Sequence, residues 1–250
     1  HSIRRRQRQM CIRDSSNTAR SSSNFYALNN GIATLFEIRG VGIGKTSFKR
    51  RINSGLAVGF SFLKTAYENS NFIFNQIDIA NTYTNDIVLQ HERSIYTDVI
   101  KAIDIESNEL IDFSTTMHSS KDSYAISKRD RPLAYIIKKN NYGFIEKLND
   151  VGVNYVELEK DTMIYSGGYK VVEFNNKFKV YEKMKMQKVV TSIEYSNNKF
   201  SKGDILISMN QKRSNLIAEL LEPEAPNSYV SFGIITVSYT HLRAHETRIH

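Results

Sequence analysis

One short segment of the chain places a lone carboxylate beside a glycine-rich turn. Glu37 lies near the end of an apolar run, Gly31–Ile38, and precedes Arg39 and the turn formed by residues 40–44. The carboxyl end of a buried strand is where open α/β sheets place their active sites. Partial burial there would favour the protonated carboxyl and raise its pKa toward a value that suits general acid–base chemistry. Glu37 is therefore the candidate catalytic residue.

The same residues allow two other interpretations. Glu37 and Arg39 are two apart and share one face of a strand, where they can form an ion pair at a sheet edge. Gly44-Lys45-Thr46 also matches the end of a phosphate-binding loop, in which a strand precedes Gly, four residues, Gly-Lys-Ser/Thr and a helix. Arg39, however, occupies the position of the first glycine, and its side chain would crowd the backbone that wraps the phosphates. This departure argues against a nucleotide-binding loop.

His91 and His118 are the two histidines that lie away from the chain ends. They are far apart in the sequence and lack the short spacing of ligands on a zinc-binding helix. Cys11 is the single cysteine, so neither a disulfide within the chain nor a thiolate metal site is expected. We expect both histidines to be ordinary surface or hydrogen-bonded side chains, and we expect no metal site in this chain.

The residues around Glu37 belong to a predicted strand, turn and helix. Gly31–Ile38 is short, apolar and rich in β-favouring residues, which predicts a strand buried on both faces. Apolar residues then recur at helical spacing with basic residues on the other face, which predicts an amphipathic helix from about Thr46 to Glu68. A second helical pattern begins near Ile73 and fades near His91. Strand, turn and packed helix form one α/β unit.

The second half of the chain carries mainly β patterns. From about Ile95 to Ser127 the sequence is polar with short apolar runs, which indicates strands and loops. The Asn pairs at 175–176 and 197–198 predict hairpin turns, because Asn tolerates a positive φ. Further strands are predicted at 133–137, 153–158, 169–174, 184–186 and 189–195, with helices at about 142–150 and 214–221.

Both ends of the chain, residues 5–15 and 237–247, resemble translated sequencing-adaptor sequence. The terminal stretches that contain them, residues 1–15 and 237–250, hold four of the six histidines and most of the net charge of +8. Residues 16–236 carry a net charge of +3. That charge does not make a nucleic-acid-binding footprint. No apolar run approaches the roughly 20 residues of a membrane span. We therefore expect neither a nucleic-acid partner nor a membrane span.

Several stretches of the sequence resemble the zinc metallocarboxypeptidases, the carboxypeptidase A-like family. The resemblance covers most of residues 20–236 and is carried near Glu37 by a glutamate strand, a glycine turn and a basic helix. The later residues resemble the β-rich C-terminal region of bacterial members. The matching stretches are Asn29–Ile32, Phe36–Gly40, Gly42–Gly44, Phe48–Arg51, Arg131–Tyr135 and Leu220–Pro226.

The resemblance implies a zinc-dependent hydrolase of peptide or amide bonds with Glu37 as its general base and acid. A zinc ion with an open position lowers the pKa of its bound water and polarises the scissile carbonyl. In the family a His-x-x-Glu pair and a later His precede the glutamate, whereas nothing before Glu37 supplies them here. The chain is therefore expected to be an inactive C-terminal fragment whose zinc ligands lie upstream. The resemblance also favours a bacterial, metagenomic source and a periplasmic or secreted location.

The predicted fold class is α/β, with the last strand and helix of a mixed-sheet zinc-carboxypeptidase domain followed by a β-rich α+β accessory domain. An isolated strand exposes its backbone groups, so residues 32–38 are expected to pair with any available strand. The alternating strands also allow a non-catalytic binding or interaction module. The predicted divisions are adaptor-like ends at 1–15 and 237–250, a catalytic part at 16–92, a connection at 93–130 and the accessory domain at 131–236.

Overall fold

The computed structural model describes residues 19–36, 38, 47–82, 85–139 and 142–235, and the backbone of 243–249. Its helices are α1 (Ser22–Leu28), α2 (Phe48–Glu68), α3 (Ser70–Asn81), α4 (Tyr142–Asp150) and α5 (Ser214–Leu221). Its strands are β1 (Ile87–Ile103), β2 (Leu110–Arg129), β3 (Ala134–Ile137), β4 (Val156–Glu157), β5 (Thr162–Tyr181), β6 (Met184–Phe200), β7 (Ile205–Ser208) and β8 (Arg243–Ile249).

The strands form two sheets. β1 and β2 make a two-stranded ribbon, and the other six strands lie in the order β4-β7-β3-β8-β5-β6. Every pair among these strands is antiparallel, and β8, from the end that resembles adaptor sequence, lies between β3 and β5. A chain that mixes helices and strands is thus confirmed, while the more specific division into a zinc-carboxypeptidase part and an accessory domain stays a prediction.

The hydrophobic core lies where β3 and β7 pack against α4 and α5. Tyr135, Leu148 and Ile207 are each fully buried, and the rings of Phe144 and Tyr229 meet edge to face with their centroids 5.0 Å apart. The predicted helices at 142–150 and 214–221 and the strand at 133–137 are confirmed. These elements are short, but each has a packed layer on its apolar side, which is the main source of their stability.

Both predicted Asn hairpin turns are wrong, because the pairs at 175–176 and 197–198 lie inside β5 and β6. The two strands are joined instead by Glu182 and Lys183, with φ values of +46° and +69°. Two successive positive φ angles suit the twist of a tight hairpin turn. Asn175 acts differently: its side chain accepts a hydrogen bond of 3.0 Å from the Lys177 N–H, at an irregularity in the β5–β6 register.

The predicted buried strand at Gly31–Ile38 is wrong for the residues that the structure describes. Residues 31–36 and 38 have no regular secondary structure, and Ile32, Leu35 and Phe36 are 61%, 55% and 46% exposed. A buried strand needs hydrogen-bonding partners along its edges, and none of the described strands pairs with this segment. The expected pairing of residues 32–38 with another strand is therefore wrong as well.

The helical predictions that follow are correct in kind and differ in extent. The first predicted helix is α2, whereas the second ends at Asn81 because the apolar run from Ile87 onward joins β1. The stretch predicted as strands and loops, about 95–127, lies in the ribbon of β1 and β2 and the turn between them.

No side chain of α2 or α3 is buried. None of the helices in the described residues is both long and apolar enough to cross a membrane.

Candidate functional site

The predicted catalytic residue Glu37 lies outside the described residues, as do Arg39 and the Gly44-Lys45-Thr46 stretch. The acid–base, ion-pair and phosphate-binding interpretations of these residues therefore stay predictions. The structure does describe the two neighbours of Glu37 and the residues that lead into its segment.

Both neighbours of Glu37 lie against α2. The ring of Phe36 meets the ring of Phe62 edge to face, with 5.8 Å between the centroids. Ile38 lies beside Gly55, where an added Cβ would be 3.4 Å from the Ile38 Cδ1. These two side chains thus contact the helix that follows them, although they remain partly exposed and belong to no strand.

Asn30 anchors the start of the Glu37 segment. With φ at +54°, its side-chain Nδ2 donates a hydrogen bond of 2.8 Å to the Oδ1 of Asn81 at the end of α3. Its Oδ1 accepts a bond of 3.2 Å from Asn215 in α5, which in turn accepts one of 2.7 Å from Arg131. Asn tolerates this left-handed backbone better than most residues. These amides join the end of α3 to α5.

The two histidines lie on different strands and at different positions along the ribbon. His91 in β1 is opposite Ala125, and His118 in β2 is opposite Ile95. Across the described ranges, no group of three or more His, Cys, Asp and Glu side chains could hold a metal ion. The described residues therefore do not fit a zinc site.

His91 contributes instead to a groove of about 1390 Å³. The walls include residues 88–93 of β1 and 186–189 of β6, together with part of α1 and residues 223–227 after α5. Successive side chains of a strand point to opposite faces. A wall that contains consecutive residues must therefore include the backbone edge of the strand. The groove is therefore a cleft between two strands, and its lining combines apolar and charged side chains.

Each acidic side chain of the groove has a partner. Glu92 accepts a hydrogen bond of 3.0 Å from the Tyr124 hydroxyl. One oxygen of Glu219 accepts from both the backbone N–H and the Nδ2 of Asn227, at 3.2 and 2.7 Å. Burial raises the pKa of the Glu219 carboxyl above its ordinary value, and the bonds from Asn227 oppose that shift. The third acidic residue, Glu224, belongs to a buried cluster.

That cluster is centred on Arg129, at the end of β2. The Arg129 Nη2 lies 2.5 Å from Glu224 Oε1, and its Nε lies 3.7 Å from Glu222 Oε2. The Tyr135 hydroxyl donates a bond of 2.6 Å to the fully buried Glu222, and Thr191 donates from its N–H and its hydroxyl to Glu224, each at 2.7 Å. The cluster holds residues 222–224 to three strands and so fixes the floor of the groove.

Sequence reasoning missed both the groove and the Arg129 cluster. The partners are distant along the chain: Thr191 is 62 positions and Glu224 is 95 positions after Arg129. The one local signal is the stretch at 220–226, in which two glutamates flank Pro223. Its proline ends α5, because the residue before a proline disfavours the helical conformation, and the carboxylates on both sides are then free to turn toward Arg129.

Comparison with known proteins gives relatives among the carboxypeptidases. The chain is 28% identical over 234 residues to the protein named Carboxypeptidase 2 of Trichophyton tonsurans. It is also 28% identical over 239 residues to the proteins of that name in Trichophyton equinum and Trichophyton rubrum. Each match covers 92% of this chain and 44% of the relative, so the chain spans less than half of the relatives' length. No protein-family model and no solved structure matches the chain.

The name of these relatives agrees with the resemblance to carboxypeptidases seen in the sequence. They are fungal, so they give no support to the predicted bacterial source, which stays a prediction. The name Carboxypeptidase 2 does not specify a metal.

Proposed function

We propose that the chain is the C-terminal part of a zinc-dependent carboxypeptidase-like hydrolase of peptide or amide bonds, with Glu37 as its general base and acid. The observation that carries the proposal is the similarity to Carboxypeptidase 2 proteins along 92% of the chain. The segment from Asn29 to Gly44, which resembles a catalytic strand and turn, lends it further support. A periplasmic or secreted location is part of the same proposal.

The role proposed for Glu37 follows from the chemistry of amide hydrolysis. A carboxylate beside the attacking water takes a proton as the water adds to the carbonyl carbon. It then gives that proton to the nitrogen of the leaving amine as the C–N bond breaks. A positioned general acid–base group of this kind contributes about 10²- to 10⁴-fold to the rate.

The proposal assigns no zinc ligand to the described residues, where no group of three or more His, Cys, Asp and Glu side chains could hold a metal ion. Zinc, held by other residues of a longer protein, would supply Lewis acidity to the carbonyl and a water of lowered pKa. The 250-residue chain on its own is accordingly proposed to be inactive. This part of the proposal is tested separately from the role of Glu37.

The test compares two Glu→Gln variants in the longer protein that contains this chain. Glu37→Gln should lower kcat/KM for a peptide substrate by about 10²- to 10⁴-fold. Glu68→Gln removes the same charge from the exposed end of α2, where Glu68 pairs with Lys64 at 3.7 Å, and should leave kcat/KM unchanged. Both variants should keep the circular dichroism spectrum of the parent protein.

Full activity of the Glu37→Gln variant would contradict the proposed role of Glu37. If the longer parent protein hydrolyses no peptide or amide, the hydrolase proposal fails and the binding-module alternative is favoured. Hydrolysis by the 250-residue chain alone would show that its own residues complete the site.

A further inference from the structure

The groove carries two lysines that form no ion pair within the described part of the chain. Lys179 and Lys188 lie near the same aromatic ring, with their Nζ atoms 5.4 and 5.7 Å from the centroid of Phe178. Both lysines are exposed and line the groove. Among the residues that the structure describes, no carboxylate forms an ion pair with either lysine.

The acidic residues of the groove cannot supply that missing charge without giving up other partners. Glu224 is committed to Arg129 and Thr191, Glu219 to Asn227, and Glu92 to the hydroxyl of Tyr124. The uncompensated charge at this rim of the groove is therefore positive. Complementary potentials govern the choice of partner at a surface of this kind.

The shape of the groove indicates an extended ligand. Six consecutive residues of β1, 88–93, form one wall, and at about 3.3 Å per residue this wall is about 20 Å long. The volume of about 1390 Å³ exceeds the usual range of about 300–1,000 Å³ for small-molecule pockets. Exposed apolar side chains, those of Val88, Ile95 and Ile126, lie among the charged ones along the groove.

We propose that this groove binds an extended acidic peptide segment. Carboxylates of the peptide lie against Lys179 and Lys188, and its apolar side chains pack on the exposed apolar lining at Val88 and Ile126. The β6 edge is already occupied at Gln187, whose N–H donates a bond of 2.9 Å to the Ser231 carbonyl. The peptide is therefore recognised chiefly by side chains and along β1. This binding goes beyond the proposed hydrolysis and does not depend on Glu37.

The experiment measures the fluorescence polarisation of a labelled peptide of alternating glutamate and valine, titrated with the full chain. The double variant Lys179→Glu with Lys188→Glu should weaken binding at least tenfold, about 1.4 kcal/mol. The matched control is Lys160→Glu with Lys185→Glu, which makes the same change in net charge. Lys160 and Lys185 are exposed and do not line the groove, so the control should bind within about twofold of the parent. Circular dichroism confirms that both variants are folded.

Three results would overturn the proposal. Equal weakening by both double variants would show attraction to net charge rather than to the groove. Equal binding of a peptide of alternating lysine and valine would remove the role of the lysines. Tighter binding of a poly-dT oligonucleotide than of the acidic peptide would make the site a general polyanion surface. None of these results bears on the role of Glu37, so this proposal and the proposed hydrolase can fail independently.

Discussion

The helical segment at 47–82 and the β-rich body at 134–235 both carry apolar side chains at regular spacing, but they bury them very differently. In α5, Leu216, Ile217 and Leu221 are at most 2% exposed, packed against strands and the loop that follows the helix. In α2, Leu56 and Phe60 are 53% and 68% exposed. Amphipathic spacing thus gives a helix an apolar face. That face is buried only where another helix or a sheet packs against it.

The polar interactions of the two regions differ in the same direction. In the body, Glu222 and Tyr135 form a largely buried network with Arg129 at the end of β2. The ion pair of α2, Lys64 with Glu68, is instead exposed on both sides. Removing one member of a buried network leaves the others unpaired in a low dielectric. An exposed pair is replaced by water at little cost. Side-chain substitutions should therefore separate the two regions.

The largest effect is expected at Glu222. Replacing Glu222 with Ala removes the carboxylate that accepts from the Tyr135 hydroxyl and one of the two carboxylates that pair with Arg129, and should lower the free energy of unfolding by about 3–5 kcal/mol. Glu68→Ala in α2 should change it by less than about 0.5 kcal/mol. Urea denaturation followed by circular dichroism measures both values. Equal effects would show that the Arg129 cluster is not a stabilising feature of the body.

Truncation of an apolar side chain gives the next largest contrast. Ile217→Ala opens a cavity in the core of the body and should cost about 2–4 kcal/mol. Leu56→Ala on the exposed face of α2 should cost less than about 0.5 kcal/mol in the same chain. The urea midpoints of the two variants give the comparison. A loss at Leu56 as large as that at Ile217 would mean that the face of α2 is buried in solution.

Asn30 joins the two regions, and its side chain should have an intermediate effect. Asn30→Gly keeps the backbone at φ +54° accessible but removes the bonds to Asn81 and Asn215, at a cost of about 1 kcal/mol. Asn108 is a matched control, because its φ is +58° in an exposed turn and its replacement by Gly removes no such bond. A calorimetric Tm lower for Asn30→Gly than for Asn108→Gly is the expected result. Equal Tm values would mean that the amide contacts do not hold the regions together.

The smallest effect concerns pH and Glu219. Burial raises the pKa of this carboxyl in the folded protein above the ordinary 4.5, so the folded state holds the proton more tightly than the unfolded chain does. Its contribution to stability should therefore fall as pH rises from about 4.5 through the raised pKa. Glu219→Gln, which keeps an acceptor for Asn227, should flatten the dependence of the urea midpoint on pH over that range. An unchanged slope in this variant would contradict the assignment.

The elements of the body could be predicted because local signals and tertiary packing agree there. The apolar spacing of α4 and α5 and the β-branched run of β3 coincide with the layers that bury them. The Asn turns were mispredicted, since the left-handed positions in the β5–β6 connection are taken by Glu182 and Lys183, which carry no such signal. The run at 31–38 was mispredicted because strand formation depends on a neighbour that composition does not reveal.

The candidate functional residues also include some that the sequence could indicate and some that it could not. Glu37 could be singled out from its local sequence, yet it lies outside the described residues, and the structure reports only that Phe36 and Ile38 lie against α2. The groove could not be predicted, because its walls come from α1, β1, β6 and the loop after α5. Which of its charges stay uncompensated depends on contacts made only after folding.

The contrast between the two regions is tested most directly by hydrogen–deuterium exchange of the 250-residue chain, read by mass spectrometry. Amides that open only by global unfolding exchange most slowly, and those in weakly packed elements exchange faster. We predict that amides of β3, β7 and α5 are the slowest and that those of α2 and α3 exchange far faster, although all five elements are regular. Equal protection of α2 and α5 would contradict the account, because it would show that the helical segment has a packed layer of its own.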